Sequence, residues 1–325
     1  MARQTITKKV YCKHAVFLDR RDKPTIQNKI MEAVGKLKKI GKRKEILGED
    51  ERYVRAIIYH RAHANMIFGI LASYERGTHQ LTVTEDDDAE MLTVEQVAPP
   101  NNDDDKRREF LEGLCYFGCY KNHVVVVPSR ALGAKPFEAH INWLLQASGA
   151  ISQSNRVGLS DQIAEATKAK IRAAHVKEVE IGAPLIDTNA ITTSQVSGHR
   201  VSSFEYSGFG LDMLRQILGN DKINGMKLVD AIDGNIEVSL KVRYKRATTE
   251  KAHKLLDNIA LAVRNIDEDE VKLTLAGGGT VKGNELKLSA MLSVEARNGV
   301  PNPDQLFEKM HTWLTDQIQN QIIEP

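Results

Sequence analysis

Hydrophobic and polar positions alternate most cleanly between residues 236 and 245. There Ile236, Val238, Leu240, Val242 and Tyr244 interleave with Glu237, Ser239, Lys241, Arg243 and Lys245. A period of two sends the two sets to opposite faces of a half-buried strand. Shorter runs predict further strands: Val10–Leu18, Tyr53–His60, Met66–Tyr74, Gln80–Thr84, Leu114–Tyr120, His123–Val127, Val176–Ile186, Val271–Leu275 and Leu286–Val294. Three connections read as hairpins: Arg61–Asn65, Lys121-Asn122 and the segment holding Gly277-Gly278-Gly279-Thr280.

A period near 3.6 marks the helices. Thr25–Ile40 carries a stripe of Ile26, Ile30, Val34 and Leu37, and Pro136–Ala147 one of Phe137, Ile141, Leu144 and Leu145. Glu250–Val263 places Ala252, Leu255, Leu256, Ile259 and Val263 together. Asp161–Ala173 and Phe209–Leu218 are shorter helical candidates. The last helix runs from about Pro303 to Ile322, with Asn302 as cap, Pro303 in the first turn and Asp304 at the positive end of the dipole.

Strands in hairpin order with helices between them predict a mixed α/β, α+β protein: two domains built on mainly antiparallel sheets with packed helices. The Ser-, Gly-, Asn- and Gln-rich stretch Ser148–Ser160 reads as a linker, dividing residues 1–152 from 160–325. Residues 187–203 are polar and read as a loop. No fixed-period repeat appears.

Composition narrows the class. Apolar residues make up 42% of 325, enough for a proper core. No apolar run is long enough to span a membrane, and the N-terminus lacks a signal-peptide core. Cys12, Cys115 and Cys119 are too few and too odd in number for a disulfide framework. The expectation is a cytoplasmic protein. Net charge is +2, but nine acidic and no basic side chains lie between Glu85 and Asp105, which leaves the remainder at +11. This acidic stretch reads as an exposed insertion.

The candidate chemistry is cationic. Lys241, Arg243 and Lys245 project from one face of the clearest strand, and Arg246 ends it. Thr248-Thr249 then caps a helix with Lys251 and Lys254 in its first turns. Lysines there oppose the dipole unless an anion joins them, so strand and helix mouth together form a candidate phosphate site. No aromatic interleaves on the cationic face, which points away from stacking on single strands. The expected ligand is the backbone of double-stranded DNA, bound by counterion release without base specificity. Alternatively, these lysines are a solvated sheet face. A second cluster holds Lys36, Lys38, Lys39, Lys42, Arg43 and Lys44, where a helix C-terminus gives cations a structural reason as well. Lys168, Lys170 and Arg172 form a smaller third patch.

The stretch from Leu218-Gly219 through Asp230–Ile236 to the Lys241-Val242-Arg243-Tyr244-Lys245-Arg246 strand end, followed by a Lys-rich helix with Asp257, resembles the RexA-type phage exclusion family. Phe117–Leu145, with Phe137 and Trp143-Leu144-Leu145, resembles that family's hairpin and helix. The resemblance implies a sequence-non-specific DNA-binding protein of a temperate phage, acting as a sensor in superinfection exclusion (abortive infection). It also implies a homodimer, a RexB-like membrane channel partner and a two-domain architecture related to the recombination regulator RdgC. Lys241, Arg243, Lys245 and Arg246 are the residues it carries over.

Rival chemistries have less behind them. Asp86–Asp88 and Asp103–Asp105 offer carboxylates to a metal-dependent nuclease, but consecutive aspartates point apart and repel. Cys115, Cys119 and His123 are spaced for zinc only if helical; in a strand, residues four apart sit about 13 Å apart. The triple glycine lacks a phosphate-loop sequence, and no nucleophile elbow appears. His60 and His63 read as loop residues. The expectation is a protein without enzymatic activity, cofactor or metal, the alternative to DNA binding being a protein–protein interaction scaffold.

Overall fold

The computed structural model describes residues 4–19, 24–48, 50–85, 91, 93–101, 106–184, 194–196, 199–201, 237–243, 250–262 and 271–323. The chain is of mixed α+β content, built on antiparallel sheets, and divides into two compact units. Unit 1 comprises Met1–Gln162 and Leu288–Pro325, and unit 2 comprises Ile163–Lys287. The outward crossing falls close to the expected break, but the final segment belongs to unit 1 and not to a continuous second half.

Unit 1 is organised by strand β1 (Gln4–Phe17), which is long enough to serve three partners. Its N-terminal half pairs with β16 (Ser289–Arg297), itself flanked by the short β17 (Val300–Pro301). Its C-terminal half pairs with β9 (Val157–Asp161). On its other side lies β8 (His123–Val127). The sheet then continues through β7 (Leu111–Tyr120), β4 (Met66–Glu75), β3 (Tyr53–His63) and β2 (Lys44–Leu47), giving nine antiparallel strands. The supposed linker therefore supplies a buried strand: Val157, Leu159 and Asp161 are all at least nine-tenths buried. Likewise, the predicted Leu286–Val294 strand does not close a hairpin with Val271–Leu275 but returns to β1.

Both faces of this sheet are covered. Helices α1 (Ile26–Lys36) and α2 (Ala134–Ala147) bury Ile26, Ile30, Phe137, Ile141 and Leu144 against Ala15, Phe17, Phe117, Val124 and Val126. On the opposite face, helix α5 (Pro303–Gln319) buries Leu306, Phe307, Met310 and Leu314 against Val10, Phe68, Val125 and Val127. Double coverage explains why Met66–Ser73 and His123–Val127 read as unbroken apolar runs, an idiom commoner in parallel sheets. Phe68 and Phe117 sit directly across from Gly118 and Gly69. A β-carbon at Gly69 would lie 2.4 Å from Phe117 Cζ, so each glycine makes room for the phenyl opposite.

Local signals set the element ends. Asn302 accepts from Asp304 N and Gln305 N, capping α5 as predicted, and Thr25 accepts a hydrogen bond from Asn28 N, so it caps α1 and the helix proper starts at Ile26. Helix α1 ends at Lys36, short of Ile40, and Ile40–Arg43 forms a separate 3-10 turn. The β3–β4 hairpin turns on Ala64-Asn65 alone, both at positive φ, which is the geometry of a two-residue turn. His60 and His63 consequently lie in β3 and not in a loop.

Between β4 and β7 the chain makes an excursion that includes a two-stranded ribbon, β5 (Gln80–Thr84) with β6 (Thr93–Val97). The acidic insertion is thus partly strand. Leu81, Val83 and Val94 share one face of the ribbon and are 67%, 51% and 62% exposed.

Unit 2 contains a four-stranded antiparallel sheet in the order β13 (Glu237–Arg243), β10 (Val176–Pro184), β14 (Val271–Leu275), β15 (Thr280–Lys282). Helices α3 (Glu165–Ala174) and α4 (Glu250–Ala262) bury Ile171, Leu256 and Ala260 with Val179, Leu273 and Val281. The glycines at 277–279 make the β14–β15 turn. A small hairpin, β11 (Ser194–Val196) with β12 (His199–Val201), falls inside the segment read as a loop. The predicted helix at 209–218 lies outside the described residues.

Candidate nucleic-acid interface

In unit 2, Lys241 and Arg243 occupy the polar face of the sheet, as the alternation requires. Directly across from them on β10 stand Glu180 and Glu178. Lys241 Nζ lies 3.2 Å from Glu180 and 3.7 Å from Glu178, and Arg243 Nη1 lies 3.9 Å from Glu178. The hydrogen bond and charge of Glu180, then the charge of Glu178, hold the Lys241 ammonium above the usual lysine range. Sequence reading missed these carboxylates because the register that brings residues 178–180 against 241–243 is non-local. It also passed over Lys272, across from Glu180 on β14, and Lys282, across from Lys272 on β15. The alternation in Val271–Leu275 already places Lys272 on the polar face. Lys241, Arg243, Lys272 and Lys282 thus share this face with Glu178 and Glu180, and the alternation along β13 adds Glu237, whose side chain is outside the described set.

The junction expected to make strand and helix mouth continuous, residues 244–249, lies outside the described residues. Helix α4 packs its apolar side on the apolar face of the sheet, whereas Lys241 and Arg243 stand on the other. Lys254 is an exposed residue of that helix. Lys251 lies in α4, and its side chain is outside the described set, as are Lys245 and Arg246 altogether. The third patch is largely paired: Lys168 meets Glu165, and Lys170 lies 3.8 Å from Glu285.

Because Glu178 and Glu180 compete with phosphate for the same cations, Glu178→Gln combined with Glu180→Gln is expected to tighten duplex binding by about tenfold at 0.1 M salt. A fluorescence-anisotropy titration checks this; an unchanged or weaker affinity removes the sheet face from the interface.

The Lys36–Lys44 segment of unit 1 is arranged differently. Lys36 is paired with Glu32 at 2.6 Å and holds its carboxyl below the ordinary range. Lys38, Lys39 and Lys42 are exposed, and Lys44 is half-buried. None of these four makes an ion pair among the described residues. The helix dipole gives Lys36 a structural reason, but Lys42 and Arg43 lie beyond the last turn of α1. Arg43 is only 7% exposed, and its Nε and Nη1 have no hydrogen-bond partner among the described residues. Burial draws its pKa down. His60 titrates below its ordinary value because it is partly buried and then because Arg43 is near.

Cys115 and Cys119 are strand residues, fully buried and unpaired, with thiols pushed up by burial, that of Cys115 to about 12. Such thiols are core residues and not nucleophiles. Among the described residues no group of three or more His, Cys, Asp or Glu is placed to hold a metal. Asp86–Asp88 and Asp103–Asp105 lie outside the described residues. No described helix is long and apolar enough to cross a membrane. No protein-family model matches the chain, and neither does any curated protein.

Proposed function

We propose that this chain is a cytoplasmic, non-catalytic protein that binds double-stranded DNA through backbone phosphates, without base specificity. The observation that carries this reading is the turn after α1, where Lys38, Lys39 and Lys42 are exposed without a carboxylate partner among the described residues. Cations held apart from counter-charges are what counterion release exploits. The polar face of the unit 2 sheet, with Lys241, Arg243, Lys272 and Lys282, is a second and weaker contributor, because Glu178 and Glu180 offset half of it. On this reading the turn carries more of the proposed interface than the strand.

The resemblance at Lys241–Arg246 extends the proposal to biology: a temperate-phage protein that senses DNA during superinfection and aborts infection, working as a homodimer with a RexB-like membrane channel partner. A competition gel shift tests the core of it. Duplex DNA of two unrelated sequences is expected to bind equally, and single-stranded DNA and RNA of the same length more weakly. Preference for single strands or RNA, or indifference to all three, overturns the reading.

A protein–protein interaction scaffold is the second reading, supported by one observation. An isolated two-stranded ribbon is marginal in water, and β5–β6 exposes Leu81, Val83 and Val94 on one face.

A further inference from the structure

We infer that Arg43, at the end of the Ile40–Arg43 turn, anchors a phosphate group, and that the exposed lysines around it form the mouth of that site. The inference rests on the turn being the anion-binding surface proposed above, but it requires only a phosphate and not a duplex.

Arginine is the side chain whose charge is hardest to remove, and its planar fork presents five N–H donors. Buried guanidinium groups are ordinarily met by carboxylates or carbonyls, because an unpaired buried charge is costly. Two others in the same unit follow this rule. Arg55, 8% exposed, is met by Glu45 and by the Pro136 carbonyl, and the partly exposed Arg61 reaches Asp304 at 2.6 Å, although each keeps one buried Nε without a partner among the described residues. Arg43 departs from it: no described carboxylate or carbonyl meets it, and two of its nitrogens are buried and unpartnered.

The nearest carboxylate in sequence, Glu45, is committed elsewhere, to Arg55 and to His140 Nδ1 at 2.8 Å. The charges closest to Arg43 along the chain have the same sign. Lys42 and Lys44 flank it, Lys38 and Lys39 precede it, and its charge is felt at His60. A tetrahedral oxyanion at this position supplies acceptors to a fork that has none and neutralises a concentrated positive field. Arg43 is thus a positional anchor, and the lysines, on flexible stems, contribute charge without fixed geometry.

The phosphate has two chemical sources, a nucleic-acid backbone or a free phosphate such as inorganic phosphate, and the experiment separates them. Thermal unfolding of the full chain is followed in inorganic phosphate and in chloride at matched ionic strength, for wild type and for Arg43→Met. Saturable stabilisation by phosphate is expected in wild type and is expected to vanish in Arg43→Met. Equal stabilisation of both proteins, or none in wild type beyond the chloride control, overturns the inference. A wild-type measurement guards against a poorly folded variant: the His60 titration, followed by proton resonance, is expected to move upward at saturating phosphate as the guanidinium is neutralised. An unmoved His60 overturns the site.

Phosphorus resonance then distinguishes the sources. Displacement of bound inorganic phosphate by duplex DNA assigns the site to backbone phosphate. Saturable phosphate binding that duplex does not displace upholds the anchor and removes this turn from the DNA reading.

Discussion

Replacing Glu45 with alanine is expected to destabilise unit 1 by about 3–5 kcal/mol, the usual cost of stripping one partner from a buried charged network. Glu45 is 5% exposed, Arg55 8% and His140 0%. One carboxylate oxygen lies 3.2 Å from Arg55 Nη2, and the other 2.8 Å from His140 Nδ1. Arg55 also donates to the Pro136 carbonyl, so a single network ties the edge strand β2 to β3 and to α2. An ionised carboxylate only accepts, so neutral His140 donates from Nδ1 and leaves Nε2 unpartnered. Denaturant unfolding of Glu45→Ala measures the loss; a change below about 1 kcal/mol contradicts the network's role.

The same network makes a pH prediction. Burial holds His140 below the ordinary imidazole range, although its contact with Glu45 pulls the other way. The folded protein resists a proton that the unfolded chain accepts near pH 6.5. Stability is therefore unaffected above that pH and declines as pH falls below it. His60, also lowered, contributes with the same sign. His140→Asn is expected to flatten the decline between pH 7.5 and pH 5.5 without abolishing it, read from unfolding midpoints at each pH. A slope as steep as in wild type contradicts the assignment.

The second large effect concerns binding. Substituting Lys38, Lys39 and Lys42 together by glutamine is expected to weaken duplex affinity by about two to three orders of magnitude at 0.1 M salt. Each lost phosphate contact removes about 0.9 from the slope of log K against log salt, so the slope becomes shallower by about 2.7. All three side chains are exposed, so the fold is expected to survive. Lys241→Gln with Arg243→Gln is expected to do much less, because two carboxylates already occupy those cations. The reverse ranking places the interface on unit 2.

Local periodicity made much of the fold legible. The capped ends of α1 and α5 and the hairpins β3–β4 and β7–β8 all follow from spacing within a few residues. What spacing does not encode is which distant strand a segment joins. The glycine-rich turn after Val271–Leu275 invited a hairpin with Leu286–Val294, but β15 takes that place and β16 travels back to β1. The Ser- and Asn-rich stretch looked like a linker, yet Lys13 and Asp161 meet at 2.6 Å and fix β9 beside β1. The site shows the same division. The alternation placed Lys241 and Arg243 on one face correctly. The glutamates opposite them come from a register no local pattern reveals. In the Lys36–Lys44 cluster, sequence gave six cations equal standing. Packing divides them into a paired Lys36, exposed Lys38, Lys39 and Lys42, a half-buried Lys44 and a buried Arg43.

The most direct test of duplex binding is a salt series on the purified chain with a duplex oligonucleotide. Affinity is expected to fall linearly on logarithmic axes from about 20 mM to 200 mM salt, with the same slope for unrelated sequences and a slope of about −3.6 or steeper, the share of Lys38, Lys39, Lys42 and Arg43. Absence of binding at 20 mM, or an affinity indifferent to salt, contradicts it.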